Sequence, residues 1–246
     1  MPGRLCSLIA MIALFFSISC AQPEPEAAAP AAPAPAPVEE VAEVDPTVAD
    51  PDHYTVELDN DRVRILRIAY GPGEETVMHS HPNSVGVFLT DLVAQMTLPD
   101  GSTEELSANA GQAVFTPARQ HRGKNIGDAA WEVVEVELKS GAGPTAPADV
   151  PDPTVVDAEH YTAEFENDLV RILRIAYGAG EESVMHYHPD SVAVFLTDHL
   201  VQMTLPDGST DEISASAGDA IFTPAGQHLG KNISDAPWEL ILIELK

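Results

Sequence analysis

One segment of this chain is written twice. Asp45-Pro46-Thr47-Val48 recurs as Asp152-Pro153-Thr154-Val155, and the offset of 107 then holds without a gap to the C-terminus. Gln95-Met96-Thr97-Leu98-Pro99-Asp100-Gly101-Ser102-Thr103 returns as Gln202-Met203-Thr204-Leu205-Pro206-Asp207-Gly208-Ser209-Thr210. Roughly seven positions in ten are identical, which makes tandem duplication the account of the body. The expected organisation is two similar domains, 45–139 and 152–246, joined by a Gly/Pro/Ala linker over 140–151. Each is small but large enough to bury a core. A recent duplication copies useful and idle residues alike, so presence in both halves says little about function.

Each repeat reads as all-β. Val63-Arg64-Ile65-Leu66-Arg67-Ile68-Ala69-Tyr70 is rich in β-branched residues and is bounded by Gly71-Pro72-Gly73. Pro99-Asp100-Gly101-Ser102 places Pro and Gly where a tight turn needs them. Short apolar runs separated by turn signals every eight to twelve residues predict a sandwich or barrel of five to seven strands. No stretch keeps a 3.6-residue apolar period, so long helices are not expected.

Nine histidines are present. Eight form repeat-related pairs: His53/His160, His79/His186, His81/His188 and His121/His228. His199 is alone, because its counterpart is Leu92. His79 and His81 are two apart in a strand-like segment, so both imidazoles leave one face, about 7 Å apart. Val77 shares that face by alternation, which makes it the inward one. Two such rings can chelate an ion, with His121 from another strand as the candidate third ligand, and His186, His188 and His228 as the corresponding set. Neutral imidazoles suit a divalent transition metal: iron, manganese, zinc, nickel or copper. Gln95 and Gln202, on a mid-barrel strand, are weaker candidates to face the metal. His53, His160 and His199 read as surface residues.

These spacings resemble those of the cupin superfamily. Gly73, five residues and His79-x-His81 look like its first motif; Gly111, five residues, Pro117, His121 and Asn125 look like its second. Gly180, His186, His188, Gly218, Pro224, His228 and Asn232 repeat both, with Gly226 where the first copy has Arg119. The resemblance covers residues 53–139 and 160–246. It implies a bicupin: two tandem antiparallel β-barrels of the jelly-roll type, each with an interior metal site. Two departures stand out. The family's glutamate, four or five residues after the histidine pair, is replaced by Val85 and Gly86 and by Val192 and Ala193. His121 follows Pro117 by four residues where the family has five, and a one-residue slip in a strand reverses a side chain's face.

The implied function is a metal-binding bicupin with three histidines per barrel. A metal-dependent dioxygenase acting on a small, anionic substrate and a Lewis-acid isomerase or lyase are the alternatives; the last needs a general base that the motif neighbourhood does not supply. Arg119 and Arg122, against Gly226 and Leu229, give the first barrel a more cationic mouth.

The formal charge of −27, from 12 basic and 39 acidic residues, excludes nucleic acid as a partner. Both cysteines, Cys6 and Cys20, lie in the first twenty residues, so no disulfide staples the body. Arg4, the apolar run 8–16 and Ser17-Ile18-Ser19-Cys20 resemble a bacterial lipoprotein signal. Residues 1–19 would then be removed and Cys20 lipidated. A Pro/Ala/Glu tether over 20–44 would follow. The expected location is periplasmic or outer-membrane, with the membrane touched only through the lipid. A small-molecule ligand is the expected partner, and a homo-oligomer is compatible with the sequence.

Overall fold

The computed structural model describes residues 44–139, 143, 147 and 149–246. The signal, Cys20 and most of the tether and linker lie outside the described residues. The first repeat runs α1 Pro46–Ala49, β1 Tyr54–Asp59, β2 Val63–Tyr70, β3 His79–His81, β4 Ser84–Phe88, β5 Leu92–Thr97, β6 Thr103–Ala108, β7 Ala113–Thr116, β8 Arg119–Asn125 and β9 Trp131–Leu138. The second runs α2 Pro153–Val156, β10 Tyr161–Glu166, β11 Val170–Tyr177, β12 His186–His188, β13 Ser191–Phe195, β14 His199–Thr204, β15 Thr210–Ala215, β16 Ala220–Thr223, β17 Gly226–Asn232 and β18 Trp238–Leu245.

Each repeat folds into two antiparallel sheets. In the first, the strand orders are β1-β2-β9-β4-β7 and β3-β8-β5-β6; the second reproduces them as β10-β11-β18-β13-β16 and β12-β17-β14-β15. The Pro-Asp-Gly-Ser hairpin forms as expected. Gly101 takes φ +83, a conformation that costs a Cβ-bearing residue energy, and the Asp100 carboxylate accepts from Ser102 N at 2.9 Å. The Asp-Pro-Thr-Val stretch makes a single helical turn. Asp45 caps it by accepting from Thr47 N at 2.9 Å, and Pro46 occupies a first-turn position that has no use for an N–H.

Alternation sorts the residues of the five-stranded sheets onto two buried faces. Leu66, Ile68, Tyr70, Trp131 and Val133 pack inside the first barrel. Val63, Ile65, Val85, Val87, Val134 and Val136 face the other way, into a core shared with Val170, Ile172, Val192, Val194, Ile241 and Ile243 of the second barrel. The two sheets therefore bury both faces, which explains their unbroken apolar runs. Reciprocal bonds rim the contact: Arg67 donates to the Gly218 carbonyl at 2.7 Å and Arg174 to the Gly111 carbonyl at 2.6 Å. The pairing is that of an isologous dimer interface built within one chain.

Candidate metal centre

β3 and β8 pair antiparallel with His79 opposite His121 and His81 opposite Arg119; in the second barrel His186 lies opposite His228 and His188 opposite Gly226. Cross-strand partners point to the same face. The turn before β8 thus absorbs the missing residue, and His121 is buried inside the barrel. His79, His81 and His121 each bring one ring nitrogen to within 4.8 Å of the others, and His186, His188 and His228 do the same.

The second ring nitrogens define the tautomers. His79 Nδ1 donates to the Val77 carbonyl at 2.8 Å, and His81 Nδ1 donates to Glu137 Oε1 at 2.8 Å. Both Nε2 atoms therefore face inward, and they stand 3.0 Å apart. Two ring nitrogens at that distance need a proton or a metal ion between them. For an ion bound at about 2.1 Å from each nitrogen, 3.0 Å corresponds to a ligand–metal–ligand angle of about 90°, so the pair fits one ion. The Tyr54 hydroxyl also donates to His79 Nε2, at 3.1 Å. His121 Nδ1 is buried with no hydrogen-bond partner among the described residues. The second copy repeats the pattern: His186 Nδ1 to the Val184 carbonyl at 2.7 Å, His188 Nδ1 to Glu244 at 2.6 Å, and Nε2 atoms 3.0 Å apart.

Burial favours the neutral form of His79, His121, His186 and His228. Burial pushes His79 down to about 4, against the opposing bond to Val77 and helped by positive charge at His81. Burial, then the charges of His81 and His79, takes His121 to about 2. His186 falls to about 4 and His228 to about 3, again chiefly through burial. Neutral imidazole is the form that ligates.

Behind the histidines lies a relay that the spacing of motifs did not disclose. Glu137, 2% exposed, takes His81 on Oε1 and Arg64 Nε on Oε2 at 2.6 Å, and Arg64 continues to Asp45 at 2.5 Å. Glu244, Arg171 and Asp152 form the same chain in the second barrel. Burial works to raise the Glu137 carboxyl, but the bonds from His81 and Arg64 outweigh it and hold it below its ordinary value. A carboxylate on the far nitrogen of a ligand histidine fixes the ring and raises its basicity.

Several expectations are corrected. Val77 is 54% exposed, because β3 begins only at His79 and the preceding backbone turns its carbonyl toward His79 Nδ1. Gln95 and Gln202 alternate with the inward Ala94 and Met96, and Val201 and Met203, so they lie on the outer face and do not reach the histidines. His199 is 5% exposed, edge-on to Trp238 with ring centroids 4.2 Å apart, in the inward position that Leu92 holds in the first barrel. His53 is half-buried, stacked on Tyr70 and bonded to Asp50 at 2.7 Å and Glu74 at 3.1 Å. Arg122 is exposed and paired with Glu75, so only Arg119 lines the cavity. Asn125 is structural: its amide donates to the carbonyls of Gly71 and Ala129 at 3.0 and 2.9 Å.

Each histidine group opens on a cavity inside its barrel, about 300 Å³ in the first and about 270 Å³ in the second. The first is walled mainly by Phe88, Leu92, Met96, Trp131 and Val133, with Arg119 and Glu135 as charged groups.

No family model matches the sequence. No curated protein matches it either. Solved structures do. A variant of the oxalate decarboxylase of Bacillus subtilis superposes with a TM-score of 0.55 at 12% identity, covering 76% of this chain and 70% of its own. AerE from Microcystis aeruginosa gives 0.54 at 14%, covering 79% and 93%. A cupin domain from Bordetella pertussis Tohama I covers 35% of this chain and 92% of its own at 29% identity, with a TM-score of 0.34. The two longer matches span more than either barrel alone supplies. At such identities they show the fold, and that fold is two cupin-type jelly-roll barrels in tandem.

Proposed function

We propose that this protein is an exported metal-binding bicupin in which His79, His81 and His121 hold one divalent transition-metal ion and His186, His188 and His228 hold a second. One observation carries the reading: in each barrel three histidine ring nitrogens lie within 4.8 Å of one another, two of them Nε2 atoms 3.0 Å apart whose Nδ1 atoms are bonded elsewhere. A metal ion would be held by those three nitrogens, and the buried carboxylate behind His81 or His188 supplies the outer support that metal-bound histidines ordinarily have. The donor set suits several ions; manganese is one, as in the Mn(II) centres of the B. subtilis oxalate decarboxylase. When bound, the ion would supply Lewis acidity to a ligand in the cavity. The protein's residues would orient that ligand and exclude water from it, since the walls are largely apolar. Export and lipidation of Cys20 belong to the same proposal and are supported by the N-terminal sequence.

The test is elemental analysis of the full chain purified without a histidine tag, with the intact mass reporting lipid on Cys20. One equivalent of metal per barrel is expected. H79A/H81A should remove only the first barrel's ion. Metal-free protein whose melting temperature responds neither to added Zn(II), Mn(II) or Fe(II) nor to chelator would overturn the reading.

A further inference from the structure

The two repeats are so alike that their interior differences carry information. Gly86 on β4 pairs with Glu135 on β9, and the corresponding pair in the second barrel is Ala193 with Leu242. A Cβ at Gly86 would lie 3.0 Å from Glu135 Oε2, so the carboxylate rests in the space that the missing side chain leaves. In the second barrel a methyl group occupies that space beside a leucine, and both residues are buried. The exchange is therefore coupled across a strand pair: glycine with glutamate, alanine with leucine.

Glu135 is half-buried and shares the first cavity with His81, His121 and Arg119. No hydrogen bond or ion pair holds its carboxylate among the described residues. A charge in a largely apolar lining is unfavourable until something pairs with it. Across the cavity Arg119, the register partner of His81, bonds Glu104 at 3.0 Å and keeps its buried Nε without a partner. The second cavity has Gly226 and Leu242 at these two positions, with Ile213 and Ile221 nearby; its added group is the neutral His199, and its one carboxylate, Asp211, is exposed at the rim position that Glu104 holds in the first barrel.

We propose that the barrels take ligands of different chemistry. The first takes a small carboxylate that also carries a hydrogen-bond donor, hydroxyl or ammonium, with Arg119 facing the anion and Glu135 reading the donor. The second, with Leu242 in place of Glu135 and Gly226 in place of Arg119, does not make this distinction. This rests on the metal-binding reading, through the probe used to test it. Glu135 is a specificity-determining residue here, and it lies outside the trio of nitrogens that would hold the ion.

The experiment loads the full chain with Co(II) and follows its visible absorption while acetate, glycolate or glycine is added. H186A/H188A leaves the first barrel's site and H79A/H81A the second's. Glycolate and glycine can chelate cobalt in either barrel, so the quantity that matters is their preference over acetate in one barrel relative to the other. That preference should be about tenfold larger in the first barrel, the effect of one hydrogen bond to a charged group. Glycolate against glycine separates hydroxyl from ammonium. G86A/E135L, which rebuilds the second barrel's pair, should erase the excess while leaving acetate binding within about twofold. A193G/L242E should confer it on the second barrel, which keeps the test alive if the first variant folds poorly. Equal preferences in the two barrels, or an excess that survives G86A/E135L, would overturn the proposal. Failure of Co(II) to bind at all would overturn the metal-binding reading and this inference with it.

Discussion

Glu137→Gln probes the support behind the first histidine site. Glu137 is almost fully buried and uses both oxygens, one for His81 Nδ1–H at 2.8 Å and one for Arg64 Nε–H at 2.6 Å. Glutamine has the same shape but a single acceptor. Whichever donor then meets the amide NH2 loses its partner. Arg64 has a second carboxylate, Asp45 at 2.5 Å, whereas His81 Nδ1 has none, so the amide should turn its oxygen to His81. The ring stays oriented but loses its ionic partner. The expected cost in metal affinity therefore sits near the lower end of the range for outer-support residues, about tenfold or ~1.4 kcal/mol. Glu137→Ala leaves His81 Nδ1 and Arg64 Nε without an acceptor and should cost nearer a hundredfold, with a fall in stability of ~1–3 kcal/mol from the buried donors left unsatisfied. The assay is competition for Zn(II) against a chromophoric chelator in the H186A/H188A background, with denaturant unfolding of the metal-free protein alongside. Glu244→Gln in the H79A/H81A background should give the same shift. If Glu137→Gln binds zinc within about twofold of the parent while Glu137→Ala is only unstable, the carboxylate is a packing element and the relay is not part of the metal site.

Two further outcomes follow from burial. His79 and His186 titrate at about 4, His228 at about 3 and His121 at about 2, all below the ordinary histidine value. Between pH 6.5 and those values the unfolded chain binds protons that the folded one does not, so each ring withdraws ~1.4 kcal/mol of stability per pH unit as pH falls. Urea midpoints of the metal-free protein should decline steadily from pH 7 to pH 5, and a flat profile would show the rings to be solvated. Ile172→Ala opens a cavity in the core common to both barrels, where this residue is fully buried. It should cost ~2–5 kcal/mol and lower the thermal stability of both barrels together. Destabilisation of the second barrel alone would mean that the shared core does not couple them.

What the sequence disclosed depended on how local each feature is. The hairpin at Pro99-Asp100-Gly101-Ser102 and the shared face of His79 and His81 are set within a few residues, and both are found as read. The face of His121 was open, because it depends on how a turn is shortened, and only its pairing opposite His79 decides it. Polarity alone places His199 at the surface, although the apolar Leu92 at the equivalent position marks an inward slot. The Glu137 relay is not carried by any motif, and a glutamate in a strand ordinarily marks a solvent face. In fact Glu135 and Glu137 alternate in phase with Trp131 and Val133, two residues that belong to the barrel interior. That phase was a usable signal. The packing of the barrels was also half visible: Leu240-Ile241-Leu242-Ile243 is apolar on both faces, as a strand between two cores must be.

Duplication changes which residues can be informative. Histidines, glycines and turn residues common to both copies would be there whether or not both sites are used, because copying preserves them by default. Coupled differences are harder to produce by drift. Glu135 without Gly86 would press a carboxylate against a methyl group, and Gly86 opposite a leucine would leave a void; each intermediate is worse packed than either end state. A pair of exchanges that meet in register and leave a half-buried carboxylate unpartnered beside the histidines is not explained by packing, since the alanine–leucine pair fills the same position with no charge. What meets that carboxylate comes from the cavity, water or a ligand, and the comparison of glycolate and glycine with acetate tells the two apart.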